Sequence, residues 1–126
     1  MKPKYPTESE LEILQILWAN EPASVRFINE ELNKKREVGY TTTLKLMQIM
    51  LEKGLLTRTA EGRKHLYSSN IKKTETQTRL LDRFVEATFK GSAQRLMMQL
   101  LGNRKTSKAD LEEIKDLIDK IENEKP

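Results

Sequence analysis

Apolar residues recur every three or four positions along most of the chain, which is the period of an amphipathic helix. The pattern predicts a first helix that begins near Thr7 and a second that begins near Ser24. Thr7 and Glu10 have the spacing of a capping box, and Ser24 can cap the second helix with its hydroxyl. Pro22 separates the two stretches, so the chain is expected to start with two short helices.

The next apolar stripe, in Gly39–Gly54, predicts a third helix, which we call the reading helix. Its core side is expected to carry Thr43, Leu46, Met47, Met50 and Leu51, and its opposite side Thr41, Lys45, Gln48 and Glu52. Short hydroxyls, an ammonium group and a carboxamide can bond to the edges of DNA bases and to phosphates. Taken alone, the stretch is equally typical of an amphipathic helix with a solvated face.

Two runs of strand-forming residues, LLTRTA and HLYSS, follow Gly54 and flank the turn sequence EGRK. Three helices followed by a β-hairpin are the order of a winged helix-turn-helix domain, in which the hairpin is the wing. A plain hairpin with solvated basic residues is the alternative. The winged-helix order predicts contacts to base edges from Thr41, Thr42, Lys45 and Gln48, and contacts to DNA phosphates from Arg58, Arg63 and Lys64.

The remainder of the chain predicts a polar linker over Asn70–Thr76 and then three helices. Breaks are expected at Gly91–Ser92 and at Gly102–Thr106, and Ser92 and Ser107 can cap the helices that follow. Helices this short cannot easily bury their own apolar stripes, so a second copy of the chain is expected to cover them; packing onto the first domain is the alternative. The predicted dimerisation residues are Leu80, Leu81, Phe84, Leu96, Leu100, Leu111, Ile114, Ile118 and Ile121.

These elements predict a mainly α chain with a winged-helix domain in residues 1–70 and a helical dimerisation domain in residues 71–126. Charge is distributed unevenly along its 126 residues, whose net charge is +4. The segment from Lys34 to Lys73 has ten Lys or Arg against three acids, whereas the segment from Asp110 to the end has three Lys against seven acids. Basic residues concentrated around the reading helix favour phosphate binding, although chance clustering is the simpler alternative in a lysine-rich chain.

Several classes of function are disfavoured by what the sequence lacks. Cysteine is absent, which excludes disulfides and thiolate metal sites, and no apolar run approaches the roughly 18 residues of a membrane span. The first residues have no apolar segment typical of a secretory signal, so a cytoplasmic location without membrane insertion is expected. No phosphate-binding glycine loop, nucleophile elbow or metal-ligand cluster occurs. We therefore predict that the chain is not an enzyme and needs no metal or cofactor.

The chain resembles the penicillinase/methicillin-resistance repressor (BlaI/MecI) family over nearly all of its length. The resemblance is carried by TESELEILQILW, VGYTTTLKLMQIMLEKGLL, EGRKHLYSSNI and the closing pattern S-x-x-D-L-E-E-I-x-x-L-I. It implies a cytoplasmic homodimeric repressor whose partners are a palindromic double-stranded operator, a second copy of the chain and a membrane sensor protease. In the antibiotic-responsive branch, a β-lactam signal leads to cutting of the dimerisation region, which here matches Ala93–Leu101. The copper-responsive branch uses a cysteine pair that this chain lacks.

Two other functions fit the same predicted fold. A winged-helix regulator could respond to a small molecule held by Met97, Met98, Phe84 and Phe89, or a winged helix could serve as a protein-interaction module. The reading helix also lacks the arginines that make the commonest bidentate contact to guanine. This difference argues against transferring a known operator sequence to this chain.

Overall fold

The computed structural model describes residues 5–103 and 106–124, in which six helices and one hairpin occur. Their order is α1 (Glu8–Asn20), α2 (Val25–Asn33), α3 (Tyr40–Glu52), β1 (Leu56–Glu61), β2 (Lys64–Ser69), α4 (Lys73–Phe89), α5 (Ala93–Asn103) and α6 (Lys108–Glu124). The predicted mainly α architecture, with a hairpin after the third helix, is confirmed. The chain divides into two compact units, the first reaching to Leu80 and the second beginning at Leu81.

Side-chain caps start the first two helices, as the sequence predicts. Thr7 Oγ1 accepts a hydrogen bond from Glu10 N–H at 3.2 Å, and Thr7 N–H donates to Glu10 Oε1 at 2.9 Å. At α2, Phe27 N–H donates to Ser24 Oγ at 3.1 Å. Each cap satisfies backbone donors that have no partner inside the helix, so the positions of α1 and α2 along the chain are set by local chemistry.

The core of the first unit lies between α1, α2, α3 and the hairpin. Its buried apolar residues are Ile13, Leu14, Leu17, Ala23, Val25, Ile28, Leu32, Met47, Met50, Leu55, Leu56 and Tyr67. Fully burying one large aliphatic side chain contributes roughly 1.5–3 kcal/mol. The three helices are therefore held together mainly by the inner stripes that their sequence period predicts.

The hairpin is antiparallel and is tied to the helices by main-chain bonds. Its register runs from Leu56 opposite Ser69 to Glu61 opposite Lys64, so only Gly62 and Arg63 form the turn. Each strand therefore extends one residue further towards the turn than the sequence predicts, to Glu61 in β1 and to Lys64 in β2. Beyond the hairpin, Tyr67 N–H donates to Ala23 O at 2.8 Å and Ala23 N–H donates to Tyr67 O at 2.9 Å. These bonds anchor β2 to the connection between α1 and α2.

The predicted linker over Asn70–Thr76 is wrong, because α4 begins inside it at Lys73. Asn70 donates from its backbone N–H to Leu55 O and from Nδ2 to Gly54 O, and Trp18 Nε1–H donates to Ile71 O at 3.1 Å. These bonds tie the start of the segment to the connection between α3 and β1 and to α1. The predicted domain boundary after residue 70 stays a prediction, since compactness within one chain does not test a region expected to pair with another.

The second unit contains the remainder of α4 with α5 and α6. Ser92 and Ser107 cap α5 and α6 by accepting from the N–H groups of Arg95 and Asp110, at 3.2 and 3.0 Å. Contrary to the expected break at Gly102, α5 continues through that residue. None of the helices in the described ranges combines the length and the apolar composition of a membrane span.

Candidate nucleic-acid interface

The reading helix, α3, has one buried side and one exposed side. Thr43, Met47 and Met50 are buried on the core side. The four side chains predicted to contact bases are all exposed: Thr41, Thr42, Lys45 and Gln48. Within the part of the chain that the structure describes, none of these four makes a side-chain hydrogen bond or ion pair. Their donors and acceptors are therefore available to a ligand.

Hydrogen bonds between α2 and α3 fix the start of the reading helix. Asn29 Nδ2 donates to Thr43 Oγ1 at 2.8 Å and to Val38 O at 3.0 Å. Asn33 Nδ2 donates to Val38 O at 2.8 Å, and Asn33 Oδ1 accepts from Val38 N–H at 3.1 Å. Because these bonds join the second helix to both the turn and the third helix, they set the direction in which α3 leaves the turn.

A half-buried ion pair holds the other end of α3. Lys53 caps the C-terminus of the helix, and its Nζ lies 2.8 Å from Oε2 of Glu10, which is only 1% exposed. Burial raises the pKa of the Glu10 carboxyl, but the bond from Lys53, together with the bonds from Thr7, outweighs that effect and leaves the pKa below the ordinary glutamate value. The carboxylate is therefore ionised at neutral pH and ties the start of α1 to the end of α3.

The wing presents the three cations predicted to contact phosphate, all of them exposed. Arg63 is in the turn, Lys64 is the first residue of β2, and Arg58 lies on β1 opposite Tyr67. Arg63 and Lys64 line a cleft between the wing and the helices, whereas Arg58 is not among the residues that line it. The structure therefore brings two of the three predicted phosphate-binding residues towards α3.

The sequence analysis missed Arg26, Tyr40 and His65, which line the same cleft as Arg63 and Lys64. Arg26 precedes the basic segment from Lys34 to Lys73. Tyr40 lies at the start of α3, just before the polar stripe that begins at Thr41. A pattern within one helix does not reveal a site that three elements form together.

The predicted dimerisation residues lie in α4, α5 and α6, and none of them is buried within the single chain. Leu80, Leu96 and Ile114 are half-buried, and the others are exposed: Leu81, Phe84, Leu100, Leu111, Ile118 and Ile121. Exposed apolar side chains that form a contiguous patch commonly mark an interaction surface.

A cavity of about 560 Å³ lies between α5 and α6 in the second unit. Of the four residues suggested to hold a small molecule, Met97 lines this cavity, and Met98, Phe84 and Phe89 do not. The rings of Phe84 and Phe89 instead pack edge to face against each other, with centroids 5.9 Å apart. The four side chains therefore do not form one pocket within the described residues.

Sequence comparison relates this chain to transcriptional repressors. The family described as Penicillinase repressor matches residues 6–120. The chain is 24% identical to the penicillinase repressor of Staphylococcus aureus over 113 residues, which are 90% of each chain. It is 21% identical to the penicillinase repressor of Bacillus licheniformis over 119 residues, 94% of this chain and 93% of that one. It is 27% identical to the transcriptional regulator BlaI of Mycobacterium tuberculosis over 103 residues, 80% of this chain and 75% of that one.

Comparison with solved structures gives the same fold. The solution structure of the monomeric form of Bacillus licheniformis BlaI, in complex with the blaP half-operator, matches with a TM-score of 0.51 and 24% identity, covering 59% of this chain and 90% of that one. The DNA-binding domain of the repressor BlaI matches with a TM-score of 0.51 and 25% identity, covering 59% of this chain and 93% of that one. The predicted winged-helix fold is confirmed.

Proposed function

Because the chain belongs to the penicillinase repressor family, a family of DNA-binding transcriptional repressors and not of enzymes, we propose that it acts as a homodimer on a palindromic operator. Each protomer places α3 in the major groove of one half-site, and its wing lies against the neighbouring backbone. Occupying the promoter excludes the transcription machinery.

The exposed side of α3 is the observation that carries this proposal. Gln48 can bond in bidentate fashion to adenine, Lys45 can donate to guanine O6 and N7, and the methyl groups of Thr41 and Thr42 can contact thymine. These side chains are exposed and lack partners among the described residues. Because both ends of α3 are fixed by Asn29 and by the Lys53 pair, the four groups reach the groove already oriented.

Wing cations supply contacts that do not depend on sequence. Arg63 and Lys64 lie at and beside the turn, which is the part of a hairpin able to reach furthest from the core. Arg58 is a further candidate from the middle of β1. Phosphate contacts fix the position of a protein on the duplex, whereas base contacts select the sequence. The wing therefore sets the register in which α3 meets the bases.

The exposed apolar residues of the second unit support self-association. On α6, Leu111, Ile114, Ile118 and Ile121 recur at intervals of three and four, as in a seam between two helices. Covering them with a second copy removes apolar surface from water. A two-fold dimer then presents two reading helices to half-sites about 34–36 Å apart along one face of the duplex.

Release by proteolysis and a cytoplasmic location complete the proposal. The segment that the family resemblance associates with cutting, Ala93–Leu101, lies within α5. A cut there interrupts the dimerisation region and separates the two reading helices. Two linked DNA-binding domains gain affinity because the second binds at a high effective concentration, so separation weakens operator binding. A membrane sensor protease that responds to a β-lactam is the proposed partner, with antibiotic resistance as the regulated trait.

The experiment is a fluorescence anisotropy titration of duplexes carrying the promoter of the protein's own gene, with a scrambled duplex as comparison. Replacing Lys45 or Gln48 with Ala should reduce the preference for the promoter, since a good base contact contributes about 1–3 kcal/mol of discrimination. Replacing Arg63 and Lys64 together should weaken both duplexes alike and reduce the dependence of affinity on salt by about one unit per lost contact.

Gln15→Ala is the matched control, because Gln15 is an exposed glutamine on α1 in the same unit. It should leave both affinities unchanged. Equal affinity of the unaltered protein for promoter and scrambled DNA contradicts sequence-specific repression. A Gln48→Ala protein that keeps its full preference contradicts the assignment of that residue to base contact.

A further inference from the structure

We propose that the cleft between α2, the first turn of α3 and the wing holds the sugar–phosphate backbone of one DNA strand, with Arg26 and Tyr40 as its binding residues on the helix side. The inference rests on the proposed function and adds two residues to it. In this proposal the DNA backbone is bound by residues of α2, α3 and the wing together, and not by the wing alone.

The shape and lining of the cleft suit a strand of alternating sugars and phosphates. Its volume is about 360 Å³. Val25 and Tyr67 are buried and Leu44 is half-buried, so the floor is largely apolar and can lie against deoxyribose carbon atoms. Polar and charged groups form the rim: Ser24, Arg26, Tyr40, Arg63, Lys64 and His65.

Charge around the cleft favours an anion. Arg26 comes from α2, and Arg63 and Lys64 come from the wing. Within the described residues, the lining of the cleft contains no carboxylate. Phosphate is held well by arginine because the planar guanidinium offers paired donors. A phosphate held in this cleft therefore meets positive charge from two different elements, α2 and the wing.

Arg26 is able to turn towards such a phosphate. Its Nε lies 3.5 Å from Oε1 of Glu30, and the Arg26 side chain is 84% exposed. An exposed pair of this kind contributes about 0–1 kcal/mol. A DNA phosphate can therefore replace Glu30 as the partner of Arg26 with little loss of stability.

Tyr40 connects the cleft to the reading surface. It is the first residue of α3, its side chain is 50% exposed, and it immediately precedes Thr41. The ring can lie against a sugar while its hydroxyl donates to a phosphate oxygen, as suits a side chain with an apolar body and a polar end. Holding the backbone at Tyr40 places the next residues of α3 at the adjoining base edges, so the cleft sets the depth at which α3 enters the groove.

The test measures the affinity of the full chain for the promoter duplex over a series of salt concentrations. Arg26→Gln should weaken binding about tenfold, consistent with loss of one charge-assisted bond, and should reduce the salt dependence by about one unit. Tyr40→Phe should weaken binding about fivefold, with the salt dependence unchanged, because no charge is lost. Both side chains are substantially exposed, so neither variant should alter the melting temperature.

A scan with single methylphosphonate linkages then locates the contact. At one position in each half-site, a neutral linkage should weaken the unaltered protein and have no further effect on the Arg26→Gln protein. Lys35→Gln is the control for net charge, since Lys35 lines a different cavity, between α1 and α2. It should lower affinity much less than Arg26→Gln and keep every methylphosphonate effect.

The outcomes separate this inference from the proposed function. If the unaltered protein prefers its promoter but Arg26→Gln matches Lys35→Gln in affinity and salt dependence, the cleft assignment is overturned and the repressor proposal stands. Additive effects of Arg26→Gln and every methylphosphonate linkage overturn it as well. If the unaltered protein has no salt-sensitive affinity for DNA, both proposals fail together.

Discussion

Replacing Lys53 with Met tests whether the half-buried ion pair with Glu10 holds the end of the reading helix. Lys53 Nζ donates to Oε2 of Glu10, a carboxylate that is almost completely buried, while Thr7 N–H donates to Oε1. Methionine is a similarly long and unbranched side chain, so the stem can keep much of its packing. The substitution therefore removes mainly the positive charge and leaves the Glu10 carboxylate with one of its two principal bonds.

The expected decrease in the free energy of unfolding follows from how deeply Lys53 and Glu10 are buried. Removing one partner of a fully buried pair costs roughly 3–5 kcal/mol. Lys53 is 36% exposed, so water can approach the carboxylate oxygen that it leaves and solvent screens the pair. We therefore expect Lys53→Met to lower the free energy of unfolding by about 1–3 kcal/mol, which lies between the values for buried and exposed pairs. For a domain of this size, that lowers the melting temperature by roughly 4–8 °C per kcal/mol.

The stability contributed by the ion pair should depend on pH, because Glu10 must be ionised to form it. The pKa of Glu10 is lower in the folded chain than its ordinary value, so the folded state favours the ionised form. The stability that this provides is fully present above the unfolded glutamate pKa of about 4.3 and is lost as the pH falls through the lower folded pKa. Urea denaturation should therefore show the largest difference between the unaltered protein and Lys53→Met near neutral pH, and a smaller one below about pH 4.

Two controls separate the ion pair from other effects of losing a lysine. A double-mutant cycle with Glu10→Gln cancels the interaction of Lys53 with the helix dipole and should give a coupling energy of about 1–3 kcal/mol. Lys34→Met breaks an exposed pair with Glu31 at the end of α2 and should cost less than about 1 kcal/mol. A Lys53→Met loss that is constant from pH 7 to pH 3, or a coupling energy of zero, refutes the reasoning.

Two further substitutions probe the start of α3 and the second unit. Thr43→Val removes the hydroxyl that accepts a hydrogen bond from Asn29 and should cost about 1–2 kcal/mol of folding stability, measured by thermal denaturation. Thr43→Ser keeps a hydroxyl and should restore most of that stability. Equal losses in both variants contradict a role for the hydroxyl. Ile118→Glu places a charge on the predicted seam of α6 and should shift sedimentation towards the monomer, whereas Asp116→Ala on the opposite side of that helix should not; unchanged association of Ile118→Glu contradicts the proposed interface.

The elements that the sequence predicts well are those defined by short-range chemistry. The Thr7–Glu10 capping box and the Ser24 cap join residues three apart, so a local pattern contains all the information that they need. Gly54 follows α3 with a positive φ of 82°, a conformation that glycine adopts without strain. The exposed side of α3 is likewise a consequence of helical period, which is why the sequence alone predicts that Thr41 and Lys45 lie on it.

Features that depend on distant partners could not be predicted in this way. The capping role of Glu10 is visible in the sequence, but its burial and its pairing with Lys53 are not, since the two residues are separated by most of the first unit. The polarity of Asn70 and its neighbours predicts a linker, whereas the bonds of Asn70 to Gly54 and Leu55 depend on where α3 and β1 meet. Composition indicates polarity and does not identify the partner.

The residues of the candidate site also differ in whether one element or several elements bring them together. Single-helix periodicity predicts the proposed base-contacting residues, because one helix forms that surface. Arg26 and Tyr40 border a cleft whose third side is the wing, so their proximity to Arg63 requires the fold of the whole first unit. The continuous basic segment of the sequence includes the wing cations, but it does not include Arg26 of α2.

The two units differ in how far a single chain buries their residues, and under the proposed function this difference bears on how repression is relieved. In the first unit, α1, α2, α3 and the hairpin bury their apolar stripes against one another, whereas no residue of the second unit is buried within the described part of a single chain. The orientation of α3 is therefore fixed by contacts within one protomer. Under the proposed function, dilution or cutting in α5 changes only whether two reading surfaces are joined. Because linked domains bind far more tightly than separate ones, such a change lowers operator occupancy without altering any residue that contacts DNA.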